Sequence, residues 1–236
     1  MRPVGDRYRA AMVDGVSDTV WCVVVAAGSG SRFGGPKHLA DLGGSTVLER
    51  SVATASAICD GVVVVLAPGE EGEVAGAARV VGGGASRSAS VANGLAAVPD
   101  DVSTVVVHDA ARPMASRELF ERVIAAVRSG ADAAVPVVPV VDTIRHTRDG
   151  TVDRDALRAV QTPQGFRAEA LRRAHANGGE ATDDASLVES TGATVVLVDG
   201  ERWNLKITEP TDLDVASALV DRALVDGGAA GGDSIS

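Results

Sequence analysis

Apolar runs rich in valine recur along the chain. They occupy residues 20–27, 61–67, 102–107, 132–138 and 193–198, with little polar alternation. A strand covered on both faces of a sheet has this pattern, because neither of its faces meets water. The runs therefore predict the strands of a mostly parallel sheet.

Amphipathic segments lie between these runs. In three of them apolar positions recur at helical spacing after a residue suited to begin a helix, namely Thr46 with Glu49 three residues later, Ser116, and Pro210. Strands that alternate with helices predict a single doubly wound α/β domain with right-handed crossovers. We place this domain at residues 18–225.

One segment, residues 139–161, breaks the alternation. Two short strand-like runs in it flank Asp149-Gly150, a strong signal for a tight hairpin turn. We therefore expect a β-arm that projects from the sheet. The terminal segments 1–17 and 226–236 are rich in small and polar residues, which offset little of the entropy lost on ordering. We expect both to be disordered tails.

Composition narrows the possible partners of this 236-residue chain. Its formal net charge of −10 disfavours nucleic acids and anionic membranes, since both are bound by basic surfaces. The apolar runs are far shorter than the roughly 18 residues that cross a bilayer, and the N-terminus lacks the apolar core of a signal peptide, so we expect a cytoplasmic protein. Cys22 and Cys59 lack metal-ligand spacing and suit reduced core thiols.

A glycine-rich loop, AAGSGSRFGGPK at residues 26–37, follows the first apolar run. Phe33 stands where a dinucleotide fingerprint has its third glycine, and Pro36 separates the last glycine from Lys37, unlike a Walker loop. Arg32 and Lys37 still place two cations at the carboxyl end of the first strand, where open α/β sheets bind ligands. Backbone N–H groups and two cations suit a triphosphate, so the loop predicts phosphate chemistry. The alternative is a turn that merely joins strand and helix.

A second polar cluster, HDAARP at residues 108–113, ends the third apolar run. Beside an anionic nucleotide, Asp109 is most easily explained as a Mg²⁺ partner, because phosphates would repel an unpaired carboxylate. The alternative is a cap of the next helix. Arg112 is placed to reach a second anion. Lys206 lies in a strand-like stretch, where strand alternation would point it to solvent.

Taken together, the motifs resemble those of the 2-C-methyl-D-erythritol 4-phosphate cytidylyltransferases. Seven stretches occur in the family's order over about residues 20–220: AAGSGSRFGGPK, GGGASRSASV, HDAARP, DTI, VDRDALRAVQTPQGF, TDDASLVE and NLKIT. The resemblance implies a Rossmann-like nucleotidyltransferase sheet. It also implies transfer of CMP from CTP to methylerythritol phosphate, with Mg²⁺ and release of pyrophosphate, in non-mevalonate isoprenoid synthesis.

The resemblance also implies roles for individual residues. Arg32 and Lys37 match the pair that stabilises the pentacoordinate transition state, and Asp109 matches the metal-associated carboxylate. The positions that match the surroundings of CTP are Ala26, Ala27, Gly28, Ser29, Gly83 and Ser90. The positions that match the binding site of the sugar phosphate are Arg154, Lys206, Thr143, Arg112, Thr162 and Asp109. In the family the arm crosses to a second subunit, which implies a homodimer in which Thr143 and Arg154 serve the neighbouring site.

Three alternatives remain open. A ribitol-5-phosphate cytidylyltransferase would share the nucleotide loop and differ mainly in its acceptor pocket. A catalytically silent nucleotide-binding protein would keep the fold without the chemistry, and a nicotinamide-dependent oxidoreductase is disfavoured by Phe33 and the two loop cations. Ala85 and Ser86 stand where many family members carry acidic or amide residues, which bears on recognition of the base and ribose.

Overall fold

The computed structural model describes residues 17–229 except 71, 177, 178, 180 and 182. Residues 1–16 and 230–236, which make up most of the two predicted tails, lie outside the described residues. Ser17 already belongs to the first strand, and the last helix continues to Ala229, past the predicted domain boundary at residue 225.

The described strands range in length from two to nine residues. In chain order they are β1 (Ser17–Val25), β2 (Gly61–Leu66), β3 (Arg79–Gly82), β4 (Val102–Asp109), β5 (Ala133–Pro139), β6 (Arg145–His146), β7 (Gly150–Thr151), β8 (Arg158–Val160), β9 (Gln164–Arg167) and β10 (Val195–Asp199). The valine-rich runs thus became β1, β2, β4, β5 and β10, as predicted. β3 and β9 were not predicted.

Eight of these strands form one sheet in the order β10-β5-β9-β4-β1-β2-β3, with β8 paired to β5. The pairs β10–β5, β4–β1, β1–β2 and β2–β3 are parallel. β9 runs antiparallel between β4 and β5, and β8 runs antiparallel to β5. The sheet is therefore mostly parallel, as predicted.

Three of the six described helices begin at, or directly after, the residues that the sequence indicates, which are Thr46, Ser116 and Pro210. The six helices are α1 (Val47–Ser56), α2 (Arg87–Ala96), α3 (Arg117–Arg128), α4 (Ala168–Ala176), α5 (Asp184–Ser190) and α6 (Pro210–Ala229). At α1 the Thr46 hydroxyl accepts from the Glu49 N–H at 3.1 Å, and the Glu49 carboxylate accepts from the Thr46 N–H at 2.7 Å. Ser116 caps α3 through the N–H of Leu119. These contacts confirm the predicted capping box and the second helix start.

Two apolar cores cover opposite faces of the sheet. Alternate residues of β1 enter different cores: Cys22 and Val24 pack with α1 and α3, whereas Val23 packs with α2, α4 and α5. This alternation follows from the two-residue period of a strand. It confirms the doubly wound α/β class and explains why the strand sequences are apolar throughout.

The two cysteines belong to the first of these cores. Cys22 and Cys59 are free and buried, as predicted for reduced core thiols. Burial, together with the neighbouring Cys59, raises the pKa of the Cys22 thiol well above its ordinary value.

The predicted β-arm is present and exposed. β6 and β7 pair as an antiparallel hairpin, with Gly150 at a φ of 96°, where a side chain would be strained. The returning strand β8 pairs with the end of β5, through Val138 opposite Ala159. The arm is thus rooted in an extension of the main sheet, and its last residues belong to that sheet.

The sheet brings two predicted motifs to one edge. β1 and β4 are parallel neighbours in which Val25 lies opposite Asp109. The glycine-rich loop after β1 and the HDAARP motif at the end of β4 therefore emerge side by side. Within the described part of the chain, no helix is long and apolar enough to cross a membrane.

Candidate active site

A cavity of about 400 Å³ lies at this carboxyl edge of the sheet. Its lining comes from the glycine-rich loop, from the glycine turn at the start of the motif GGGASRSASV (the second glycine turn, residues 82–86) and α2, from the end of β4, and from Lys206. A larger depression of about 1020 Å³ lies at the opposite edge, but its arginines are paired with carboxylates or carbonyl groups. The smaller cavity is the candidate site because Lys37, Asp109 and Lys206 line it.

The glycine-rich loop turns tightly around Gly30. The Gly30 carbonyl accepts from the N–H groups of Phe33 and Gly34, both at 2.9 Å, and the residue has a φ of 63°. A Cβ at Gly30 would lie 1.9 Å from the carbonyl oxygen of Gly35, so only glycine fits. This turn directs the chain toward Lys37.

The second glycine turn packs directly on the first. The N–H of Gly83 donates to the carbonyl of Leu66 at 2.7 Å, and a Cβ at Gly83 would lie 2.6 Å from that of Ala27. The hydroxyl of Ser90 donates to the Ser86 carbonyl at 2.8 Å and accepts from the N–H of Gly84 at 3.1 Å. Six residues predicted to surround CTP therefore come together at this edge: Ala26, Ala27, Gly28, Ser29, Gly83 and Ser90.

Lys37 extends into the cavity from the loop. Its ammonium donates to the carbonyl of Ile207 at 2.9 Å. Burial lowers the pKa of Lys37, and the nearby cations Lys206 and Arg32 lower it further while Asp109 opposes them. Arg32 is exposed on the same loop and is not among the residues that line the cavity. Of the two predicted cations, Lys37 lines the cavity, and Arg32 lies near it on the loop.

Asp109 is the buried carboxylate of the site. Its Oδ2 lies 2.6 Å from the Lys206 ammonium, and its Oδ1 lies 3.4 Å from Nη2 of Arg87. Burial opposes ionisation, yet Lys206 and Arg87 hold the pKa of Asp109 well below its usual range. The carboxylate is therefore anionic at neutral pH.

Two alternatives from the sequence are wrong. Asp109 does not cap the following helix, because α3 is capped by Ser116. Lys206 does not lie in a strand with its side chain pointing only to solvent, because residues 201–208 form no strand and its ammonium binds Asp109.

Thr162 and Arg112 support the site from outside the cavity lining. The buried Thr162 hydroxyl accepts from the N–H of Asp109 at 3.0 Å and contacts Nδ1 of His108 at 3.2 Å. Arg112 donates to the carbonyls of Asn204 at 2.7 Å and Val160 at 3.2 Å. Thr162 therefore holds the backbone of Asp109, and Arg112 holds Asn204 in the segment that carries Lys206.

Thr143 and Arg154 lie on the exposed arm. Arg154 donates to the carbonyl of Val141 at 2.6 Å, within the arm. Neither residue is brought to the cavity of its own chain.

Two side chains in the cavity lining, those of Arg87 and His38, were not predicted from the sequence. Arg87 lines the cavity and pairs with Asp109 and Asp184, while His38 lines it and lies 3.3 Å from Glu70. Arg87 was visible within the motif GGGASRSASV, but no spacing rule shows that it would meet residues so distant in sequence.

The donor set is suited to Mg²⁺ only in combination with a phosphate ligand. Among the described residues, no group of three or more His, Cys, Asp or Glu side chains is arranged to hold a metal ion, and Asp109 is the one carboxylate in the described lining of the cavity. Mg²⁺ is commonly bound by one or two carboxylates together with substrate phosphates. A single ionised carboxylate beside a phosphate-binding loop fits that pattern.

The mostly parallel sheet, with the glycine-rich loop and its two cations at the carboxyl edge, places the chain in the class of α/β nucleotidyltransferases. The family model of 2-C-methyl-D-erythritol 4-phosphate cytidylyltransferase (IspD) matches residues 20–222. The chain belongs to this family.

Individual relatives agree over nearly the whole chain. The 2-C-methyl-D-erythritol 4-phosphate cytidylyltransferase of Rhodococcus opacus (strain B4) is 48% identical over 217 residues, which cover 86% of this chain and 95% of the relative. The enzyme of the same name from Rhodococcus jostii (strain RHA1) is 48% identical over 226 residues, 89% of this chain and 98% of the relative. The crystal structure of the enzyme from Thermus thermophilus has a TM-score of 0.75 and 42% identity, and covers 84% of this chain and 98% of that one.

Proposed function

We propose that this chain transfers CMP from CTP to 2-C-methyl-D-erythritol 4-phosphate. The products are 4-diphosphocytidyl-2-C-methyl-D-erythritol and pyrophosphate, and the reaction belongs to isoprenoid precursor biosynthesis. The observation that carries the proposal is the convergence of Lys37, Asp109 and Lys206 on one cavity, in a chain of this family. The ribitol-5-phosphate alternative is not favoured, because the matching family and relatives are named for methylerythritol phosphate.

The chemistry needs little beyond alignment and charge. An oxygen of the acceptor phosphate attacks the α-phosphorus of CTP, a new P–O bond forms, and the bond to the β-phosphate oxygen breaks as pyrophosphate leaves. A phosphate monoester has its second pKa near ~6, so the attacking oxygen is already ionised at neutral pH. No general base is required. Burial lowers the pKa of His108 to about 4, so this histidine remains neutral in its contact with Thr162.

The cations of the glycine-rich loop supply the charge stabilisation. Negative charge spreads over the oxygens of the transferred phosphorus and onto the leaving pyrophosphate. Lys37, held at 2.9 Å from the Ile207 carbonyl, is fixed in position before the substrate arrives, and Arg32 lies near enough on the same loop to lower the pKa of Lys37. Preformed cations of this kind need no reorganisation during the reaction, which makes them effective.

Lys206 is suited to bind the phosphate of the acceptor. Its ammonium lies beside Asp109 in the lining of the cavity, and its side chain is 42% exposed. Mg²⁺, when bound with the triphosphate at Asp109, would supply neutralising charge and orient the phosphates. We propose the Mg²⁺ dependence on the donor chemistry of Asp109.

We further propose that the chain works as a homodimer joined through the arm. The arm exposes apolar side chains, with Val141 64% and Val160 44% exposed. It also carries Thr143 and Arg154, which do not reach the cavity of their own chain. A second copy that received this arm would gain one cation and one hydroxyl at its acceptor site.

Pyrophosphate release tests the proposed reaction. The purified chain with Mg²⁺ is assayed with CTP, UTP and ATP, each against methylerythritol phosphate and ribitol phosphate. We expect release with CTP and methylerythritol phosphate. Turnover only with ribitol phosphate would overturn the acceptor assignment, and no release with any pair would indicate a silent nucleotide-binding protein. Chelation of Mg²⁺ should abolish release, and undiminished release would contradict the proposed metal dependence.

A further inference from the structure

Arg87 joins two carboxylates that come from different parts of the fold. It is the first residue of α2 and lines the cavity. Its Nη1 lies 2.8 Å from Oδ2 of Asp184, and its Nη2 lies 3.4 Å from Oδ1 of Asp109. The planar guanidinium presents both N–H groups in a fixed fork, so one side chain can hold two anions in a defined relation.

Asp184 is itself held in place. It is the first residue of α5 and fully buried, and its second oxygen lies 3.0 Å from Nε2 of His175 on α4. The His175 side chain is only 6% exposed. A buried carboxylate with a partner on each oxygen has little freedom, so it fixes the guanidinium of Arg87 against the body of the protein.

The two cations on Asp109 differ in this respect. Lys206 projects from the irregular segment 201–208, and its side chain is more exposed than that of Arg87, 42% against 26%. Under the proposed function Lys206 also binds the acceptor phosphate, which competes with Asp109 for its ammonium. Arg87 is tied to Asp184 as well as to Asp109, so a second carboxylate also holds it in place.

We propose that Arg87 and Asp184 are positioning residues for Asp109. Asp184 fixes the Arg87 guanidinium, and Arg87 holds Oδ1 of Asp109, so that the carboxylate keeps its orientation toward the metal and triphosphate after Lys206 engages the acceptor. The inference rests on the proposed function, and neither residue touches the reacting atoms. A purely structural role, in which Arg87 only joins α2 to α5, would alter the melting temperature without altering the site.

Three variants distinguish these roles. Asp184→Asn removes the charge that fixes Arg87, and Arg87→Lys keeps a cation that cannot span both carboxylates. Asp183→Asn is the matched control, because it removes the neighbouring charge at the same helix end, and asparagine caps a helix as well as aspartate does. Asp183 contacts Gln164 and Ser186 and has no contact with Arg87 among those the structure gives it.

The first readout is steady-state turnover. We expect kcat to fall about tenfold or more in Asp184→Asn and in Arg87→Lys, since loss of a residue that orients a metal ligand typically costs roughly 10- to 100-fold. The KM for methylerythritol phosphate should change little, because Lys206 is retained. The double variant should lose no more than the worse single variant, since both act through Asp109. A normal kcat in both single variants would overturn the proposal.

The second readout is binding of CTP without acceptor, measured by calorimetry with Mg²⁺ and again with a chelator. We expect Asp184→Asn to bind CTP about tenfold more weakly than the parent in Mg²⁺ and equally well in chelator. Equal affinity in Mg²⁺, or the same loss in both buffers, would overturn the positioning role. If Asp184→Asn does not fold, the same CTP titration with Arg87→Lys tests the positioning role, with the same expected results. A parent without turnover would contradict the proposed function, while the titration would still test Arg87 and Asp184.

Discussion

Lys37 acquires its properties from its immediate neighbours. Its ammonium is surrounded by the Ile207 carbonyl at 2.9 Å and by the charges of Lys206, Asp109 and Arg32. A lysine in a flexible loop would lose conformational entropy on reaching a developing charge. Here the turn at Gly30 and the Ile207 carbonyl fix the ammonium in advance.

Replacement of Lys37 by alanine should therefore reduce kcat by about 10²-fold or more, since loss of one preformed electrostatic contact typically costs that much. Steady-state pyrophosphate release measures it. Arg117→Ala on α3, which removes an exposed cation paired with Glu121, is the control and should leave kcat unchanged. Near-normal turnover of Lys37→Ala would exclude a catalytic role.

His108 makes the stability of the fold depend on pH. Burial lowers its pKa to about 4 from the ordinary 6.5, so the unfolded chain binds a proton that the folded chain rejects between these values. Titration of His108 therefore does not reduce the free energy of unfolding above pH 6.5. As the pH falls from 6.5 toward 4, it lowers that free energy by up to roughly 3 kcal/mol. Urea unfolding from about pH 7 to about pH 4 should show a flatter pH dependence for His108→Asn than for the parent.

His146→Asn, at an exposed position on the arm, is the control for the urea-unfolding experiment. It should leave the pH dependence of the parent in place. Parallel stability curves for His108→Asn and the parent would contradict a buried neutral histidine.

At the scale of single elements, the irregular segment 201–208 depends on buried amide groups. Asn204 is fully buried, and its side-chain N–H donates to the Thr162 carbonyl at 2.9 Å. The Gln161 amide donates to the Glu201 carbonyl at 2.8 Å and accepts from the Glu201 N–H at 3.0 Å. These bonds replace the ladder of a strand and set the position of Lys206.

Asn204→Ala should leave Lys206 less firmly held in place. We expect a loss of roughly 1–3 kcal/mol in the free energy of unfolding, because a buried carbonyl loses its donor. We also expect a higher KM for methylerythritol phosphate, because Lys206 is no longer held. Thermal unfolding and steady-state kinetics measure both, and Glu209→Ala, an exposed change at the end of the segment, is the control. An unchanged KM would show that Lys206 is positioned by other contacts.

The elements that the sequence predicted are those with a repeating signal. Valine-rich strands and capped helices carry one because the sheet is covered on both faces. β9 escaped prediction because it is four residues long and places the polar Gln164 in the interior, and β3 because it is short and partly exposed. The alternation of Leu205, Lys206 and Ile207 resembled a strand. Hydrogen bonds of the buried Gln161 and Asn204 side-chain amides instead fix this segment in an irregular conformation.

The same distinction applies to the site. The motifs predicted the glycine-rich loop, Asp109 and Lys206 because each lies within one contiguous stretch. The ion pairs of Arg87 could not be predicted, because they depend on where the chain crossovers place α2, α5 and β4. Long-range pairing of charges follows from topology, and no local pattern encodes it.

For the whole molecule, the arm yields a prediction about shared sites. If Arg154 serves the neighbouring copy, Lys37→Ala and Arg154→Ala are each inactive, but their mixed dimer holds one site with both residues intact. After subunit exchange, random pairing should restore about a quarter of the parent activity. Sedimentation should show a dimer. A mixture that stays inactive, or a monomeric parent, would contradict the proposed arm-mediated dimer.

CMP transfer to methylerythritol phosphate can be tested by a competition between two acceptors. The chain is incubated with CTP, Mg²⁺ and equal amounts of methylerythritol phosphate and ribitol phosphate, and the products are followed by phosphorus NMR. We predict formation of 4-diphosphocytidyl-2-C-methyl-D-erythritol together with pyrophosphate. Exclusive formation of the ribitol ester, or release of CMP without any ester, would rule out methylerythritol phosphate as the acceptor.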